Sequence, residues 1–311
     1  MKKIISVALS ICMLLSVVTG LSFTAKAKDY QGIKTKAYNL QTGDTFQLGN
    51  YPQSRVTDKS LLSVLNNKSV SMTSYGYMSN LNASSHTYDE VGMSWGDITY
   101  NNSMYRKVII NQYRPLTTSV SSTFSSSDQD DNGYTTGSVY YFKWEPIVWR
   151  VLSSNSNGVQ VISKISLDAQ SYNDSGVSTI WQNASIRYWL NSSFYYSAFS
   201  LNEKKKITPS KNNGVSDNVW LLSFEDAENS FYGFTDNNSR RAFSSDYAKS
   251  QGISVSKSDD TKGLSIWLLR DSSSNEAGAV YNYGEVVIDN FINYCDRGVR
   301  PVIMLDRKSV V

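Results

Sequence analysis

Hydrophobic and polar positions divide this chain into three regimes. Residues Ile4 to Val18 form one continuous apolar run. From Tyr30 to about Val139, short apolar runs such as Thr45 to Leu48 and Val108 to Ile110 interrupt long stretches of Ser, Asn, Thr and Tyr, the pattern of short strands between long loops. Thr117 to Gly137 is nearly all polar and predicts a surface loop. From Val139 the apolar runs become dense. Val139 to Trp144, Ile147 to Leu152 and Val159 to Ser163 predict consecutive strands, with Asn155 to Gly158 turning between the last two.

A helical block follows. Ala184 to Asn191 sets Ile186, Trp189 and Leu190 at helical spacing, so one face can enter a core. Ser200 with Glu203, and Ser223 with Asp226, have the three-residue spacing of a capping box, in which side-chain oxygens take the free amides of a helix start. The second box predicts a helix over Ala227 to Tyr232 stopped by a left-handed Gly233, and Ser245 to Gln251 before Gly252 is a third start-and-stop pair. Leu264 to Leu269, Gly278 to Tyr281, Glu285 to Ile288 and Val299 to Leu305 return to strands, with Asn282-Tyr283-Gly284 as a hairpin turn. Strands, short helices, then strands predict an α+β fold of antiparallel sheets with a few short helices and long loops. No repeat is visible. The expectation is one globular domain over 28–311, with a loop-rich excursion over 28–138 and a denser core over 139–306.

The start of the chain changes the charge picture. Lys2 and Lys3, the apolar run and the small residues Ala25 and Ala27 form a signal peptide, residues 1–27, cleaved after Ala27. The run is shorter than the roughly 20 residues that span a bilayer. Ile11 before Cys12 is too large for a lipoprotein site. The expected product is secreted or cell-surface associated, with no membrane insertion after cleavage. The net charge of +3 from 30 basic and 27 acidic residues then vanishes, because Lys2, Lys3 and Lys26 leave with the signal. Bulk attraction to nucleic acid or anionic membrane is excluded on that balance. The longest basic stretch, Lys204-Lys205-Lys206, reads as the solvated face of a short helix. Cys12 also leaves, so Cys295 has no intrachain partner. Packing must supply the stability, and 21 Tyr, 11 Phe and 7 Trp can do so.

Several strings occur in a recognisable order: Leu48-Gly49-Asn50-Tyr51-Pro52-Gln53-Ser54, Tyr141 to Leu152 (YFKWEPIVWRVL), Leu167-Asp168-Ala169-Gln170, Ser185 to Asn191 (SIRYWLN), Ala198-Phe199-Ser200, Leu221-Leu222-Ser223, Trp267-Leu268-Leu269-Arg270 and Gly298-Val299-Arg300-Pro301. From about Gly43 to Leu305 the chain resembles a family of uncharacterised domains of secreted and surface proteins of Gram-positive bacteria. That family is distantly similar to the C-type-lectin-like fold of formylglycine-generating enzymes. The resemblance implies a C-type-lectin-like arrangement and leaves function open, since such scaffolds host glycan binding, protein binding and oxidase chemistry.

The residues narrow those options. Asn293 to Arg297 resembles the oxidase active-site strand, but that site needs two cysteines, and the position five after Cys295 is Arg300. One soft ligand cannot build the copper site, and Cys295 is expected to be a small buried side chain. His86 is the sole histidine, in the loop-like stretch Asn82 to Tyr88, so nucleophile–histidine pairs have one candidate base and multi-histidine zinc sites have none. Glu145, Asp168, Glu225, Asp226 and Asp271 could supply a carboxylate pair for hydrolysis of an extracellular polysaccharide.

Arg150, Arg187, Arg270 and Arg300 lie in strand or helix patterns, where each needs a partner. They read either as ion pairs with Glu145, Asp168 or Asp271, or as forks for an acidic or hydroxyl-rich ligand. Trp149 and Trp189 read as core, whereas Trp95, Tyr281 and Tyr283, near Gly, Asn or Asp, read as loop tips. The ligand-contacting set expected from these patterns is Trp267, Arg270, Asp271, Tyr281, Tyr283 and Arg297. Asp128, Asp130 and Asn132 alternate before Gly133 as in the first half of a calcium loop, but Val139 stands where an EF-hand has Glu; the stretch reads as a polar surface loop with a looser Ca2+ site as the alternative, and no other cofactor is expected. The resulting functional expectation is an exported, non-enzymatic domain binding a glycan or extracellular surface protein, with a hydrolase or a structural component of a surface assembly as alternatives.

Overall fold

The computed structural model describes residues 40–75, 78–82, 85–88, 92–114, 128–174 and 177–307. The expected signal peptide, residues 1–27, and residues 117–127 of the polar stretch lie outside them. Strand β1 (Thr45–Arg55) opens the fold, followed by helix α1 (Lys59–Asn66), which is capped by Asp58. Short strands β2 (Thr73–Tyr75), β3 (Met78–Asn82) and β4 (Ser85–Tyr88) precede the regular hairpin β5 (Met93–Tyr100) and β6 (Ser103–Ile110). His86 therefore sits in a strand instead of a loop. Trp95 is also in a strand, half-buried, with the Arg106 guanidinium 4.1 Å from its ring centroid. Arg106 is held there by two bonds to Asp97, so Trp95 is a platform for a partly buried ion pair and not a loop tip.

After α2 (Asp128–Asp131), the first two of the three strands predicted in the dense region are one, β7 (Val139–Asn155). Pro146 does not break it. Strand β6 pairs with the first part of β7 and β8 (Gly158–Ser163) with the last, so the proline falls between them, where β1 alone pairs. A missing N–H is tolerated at such a position. Strand β9 (Asp168–Ala169) leads to α3 (Ser185–Trp189), which runs through a π-turn over Leu190–Phe194 into α4 (Tyr195–Ala198). Ile186, Leu190, Phe194 and Ala198 are all buried. Every fourth residue drifts about 40° per step in a regular helix of 3.6 residues per turn; the wider π-turn absorbs part of that drift and keeps all four on the core face. The helical segment is thus longer than its pattern predicts, and Trp189 is only half-buried, against Phe194.

Helix α5 (Leu201–Lys204) carries the Ser200–Glu203 capping box. Strands β10 (Ile207–Thr208), β11 (Ser210–Asn212) and β12 (Val215–Asp217) follow. The Ser223–Asp226 box forms too, but its helix is the single turn α6 (Phe224–Ala227); a 3-10 turn over Ser230–Tyr232 then reaches the left-handed Gly233. Helices α7 (Asn237–Arg240) and α8 (Asp246–Ser250) precede β13 (Trp267–Ser273), β14 (Glu276–Val280), β15 (Val286–Phe291), β16 (Gly298–Val299) and β17 (Val302–Leu305).

The fold is mixed α+β. Eight strands form one sheet in the order β10-β17-β8-β7-β6-β5-β2, with β1 also on β7, and five form a second in the order β15-β14-β13-β16-β9. Among the described strands, all pairings are antiparallel except β13 with β16. One hydrophobic cluster runs from Leu40 to Leu305 and includes Trp149, Trp181, Trp220 and Trp267. Burial of such apolar area is the dominant stabilising term.

Candidate functional site

The β14–β15 turn is the place where several predicted site residues meet. Tyr281 directly follows β14, Tyr283 occupies the turn, and their rings stack at 5.4 Å with a 17° interplanar angle. The turn is tight because Gly284 N–H donates to the Tyr281 carbonyl at 2.8 Å. Gly284 has φ +96°, and a Cβ there would lie 1.8 Å from the Asn237 carbonyl oxygen, so only glycine fits. Two arginines from the end of α7 clamp the turn: Arg240 Nε donates to the Gly284 carbonyl at 2.7 Å and Arg241 Nε to the Tyr283 carbonyl at 3.2 Å. Tyr283 is left 42% exposed.

A polar chain runs inward from this pair. The Tyr281 hydroxyl is shared by both Asp289 oxygens at 3.2 Å, and Asn290 Nδ2 donates to Asp289 Oδ1 at 2.9 Å. Arg297 Nε donates to Asn290 Oδ1 at 2.7 Å and its Nη1 to Asp296 Oδ2 at 2.7 Å. The Arg297 guanidinium also lies 4.8 Å from the centroid of Tyr294, whose ring meets the exposed Phe291 edge-on. Strand β15 supplies this geometry through a register shift against β14: Asp289 is the extra residue between Ile288 and Asn290, so Asn290 is buried while Asp289 and Phe291 face out.

At the inner end, Asp296 Oδ1 is buried without a hydrogen-bond partner, and so is Asp128 Oδ2. Burial, then the charge of Asp296, pushes the Asp128 carboxyl up from 3.8 to about 7. Burial pushes the Cys295 thiol up to about 12, with Asp296 and Asp128 adding to the rise and Arg114 opposing it. Burial thus keeps the Cys295 side chain in its thiol form and disfavours the thiolate.

The other predicted residues lie elsewhere. Trp267 is fully buried, its Nε1 donating to the Arg240 carbonyl, so it has no ring face to offer a ligand. Arg270 pairs with Asp226 at 2.8 Å and Asp271 accepts the Phe224 N–H, which makes both of them braces of α6. The calcium-loop residues diverge. Asp128 to Asp131 form a helical turn, Asp130 accepts from the Tyr113 hydroxyl, and Asn132 Nδ2 donates to the carbonyls of Lys249 and Ile253. Among the described residues no three His, Cys, Asp or Glu side chains converge as a metal-holding group.

Of the carboxylates offered for hydrolysis, Glu145 accepts from Ser54, Asp168 from Tyr51 and Asp226 from Arg270. The four arginines separate into two kinds. Arg187 pairs with Asp217 at 2.7 Å and Arg270 with Asp226. Arg150 and Arg300 instead donate to main-chain carbonyls, and none of Glu145, Asp168 and Asp271 partners any of the four. Sequence reasoning missed Asp289, Asn290, Arg240, Arg241 and the approach of Asp128 to Asp296; the strand expected over Glu285 to Ile288 stopped short of the first two, which follow a register shift that no local pattern announces.

An α+β domain with a stacked tyrosine pair on a clamped hairpin is the class that fold and site define. A domain of unknown function (DUF6273) is found at residues 156–307. It spans β8 to β17 and holds the whole chain from Tyr281 to Asp296, whereas Asp128 lies outside it. No curated protein and no solved structure matches this chain.

Proposed function

We propose that this chain is an exported, non-enzymatic recognition domain of C-type-lectin-like architecture whose ligand is a glycan, bound at the β14–β15 hairpin. The observation that carries this reading is the Tyr281–Tyr283 stack above Asp289. The rings are parallel, one of them is exposed, and the turn beneath is fixed by Gly284, Arg240 and Arg241. An exposed, preorganised aromatic face stacks on the CH groups of a sugar ring at little entropic cost, while the Asp289 carboxylate accepts from hydroxyls. Four of the five carboxylates offered for hydrolysis, Glu145, Asp168, Asp226 and Asp271, hold structural partners, which supports binding over turnover.

A screen of bacterial and host glycans tests the proposal. The expected result is a saturable ligand whose affinity falls at least 10-fold in Tyr283→Ala with the melting temperature unchanged. Equal affinity in Tyr283→Ala, or turnover of the glycan, would overturn it. Binding of a surface protein at the same hairpin, with no glycan bound, would replace the ligand class.

A further inference from the structure

The run Lys204-Lys205-Lys206, expected to be a solvated face, has aromatic company in the structure. Tyr195 and Tyr196 of α4 meet edge to face, with ring centroids 5.4 Å apart and planes at 76°. Lys204, the last residue of α5, sets its ammonium 4.3 Å from the Tyr196 centroid and 5.4 Å from that of Tyr195, within reach of cation–π attraction. Tyr195 is buried and Tyr196 is 68% exposed, so one ring is fixed in the core and the other faces solvent. Leu201, at the start of α5, is 79% exposed. Local carboxylates do not neutralise the lysines. Glu203 accepts from the Ser200 N–H, the Ser200 hydroxyl and the Gly49 N–H. Asp306 lies beside Lys206, its N–H donating to the Lys206 carbonyl. Among the described residues, Lys204, Lys205 and Lys206 form no ion pair.

We infer that Tyr196, Leu201, Lys204 and Lys205 form a docking surface for an anionic polysaccharide, an inference that does not rest on the reading of the hairpin. The mixture of groups selects the chemistry. An exposed ring stacks on the CH groups of a sugar, and an ammonium is a point charge that takes carboxylate or phosphate oxygens without a fixed orientation. A neutral glycan would leave the lysines unused, and a small anion would leave Tyr196 and Leu201 bare. Lys204 is already held over the ring, so less side-chain freedom is lost when it meets an anionic group. Tyr188, 57% exposed on the same helical segment, carries the aromatic surface about 12 Å further at helical rise. That span exceeds one sugar ring and suits a polymer.

The test passes the purified protein over immobilised polygalacturonate, phosphomannan and neutral dextran, and over phosphatidylglycerol vesicles. The expected result is saturable binding to polygalacturonate, the carboxylate arm, or to phosphomannan, the phosphate arm, with none to dextran. Binding should weaken as sodium chloride is raised to about 0.5 M, where exposed charges are screened. Tyr196→Ala and Lys204→Gln are each expected to weaken it about 10-fold with the melting temperature unchanged. Lys204→Arg, which keeps the charge on the ring, and Tyr283→Ala, at the hairpin, are expected to bind as the unaltered protein does. Binding to neither anionic polymer, or equal affinity in Tyr196→Ala and Lys204→Gln, would overturn the surface. Binding to the vesicles alone would overturn the polysaccharide assignment, and loss in Tyr283→Ala alone would transfer the ligand to the hairpin.

Discussion

The Tyr51 hydroxyl donates to Asp168 Oδ2 at 2.6 Å, joining residues 117 positions apart across the interior. Asp168 also accepts from the Ala169 N–H and from Gln170, and burial still pushes its pKa up. Tyr51→Phe deletes the strongest of these donors and leaves a buried carboxylate short of a partner. The expected cost is about 1.5–3 kcal/mol at neutral pH, as for hydrogen bonds to charged groups. Urea unfolding reads it, and the loss shrinks in acid, where Asp168 is protonated.

Stability should depend on pH through Asp128. Its carboxyl titrates near 3.8 unfolded and at about 7 folded, so between those values the folded state holds the extra proton. Stability from this group is full below about pH 4 and is lost as pH rises through about 7. The comparison is between Asp128→Asn and the unaltered protein, melted from pH 4 to 8. The variant is expected to lack that component of the decline, and parallel curves would contradict the assignment.

Arg187 pairs with an Asp217 side chain that is 0% exposed, while Trp181 Nε1 donates to the same carboxylate. Arg187→Met leaves a buried charge uncompensated and is expected to cost about 3–5 kcal/mol. Lys257→Met at the exposed Lys257–Asp131 pair is the control, with a change under about 1 kcal/mol. Denaturant midpoints measure both.

Gly49 sits at φ +70° in a β1 irregularity, its N–H donating to Glu203 Oε1 of the α5 capping box. A Cβ there would meet the Ala198 carbonyl and the Phe199 ring at 2.8 Å. Gly49→Ala is expected to destabilise by more than about 1 kcal/mol, because strain and clash add to the left-handed backbone. A melting temperature equal to that of the unaltered protein would contradict that contact.

Local signals carried over well where the physics is local. The Ser200–Glu203 and Ser223–Asp226 boxes, the Gly233 stop and the Asn282-Tyr283-Gly284 turn depend on neighbours within four residues, and each forms. The apparent break between two strands at Pro146 did not survive, since whether a proline interrupts a strand depends on which neighbour needs its N–H. Trp95 and Trp267 were misread for a similar reason. Flanking residues do not reveal that Arg106 will cover one ring or that the other will be sealed in the core.

The sequence by itself determined the α+β alternation of strands and short helices, the capped helix starts and the residues of the hairpin turn, because periodicity and capping are properties of adjacent positions. The partnership of charges was decided by the tertiary structure alone. Which carboxylate each arginine meets, that Arg150 and Arg300 meet none among the described residues, and that Asp128 comes under the influence of Asp296 all depend on segments distant in the chain. Electrostatic energy follows distance and burial, and neither is written in sequence spacing.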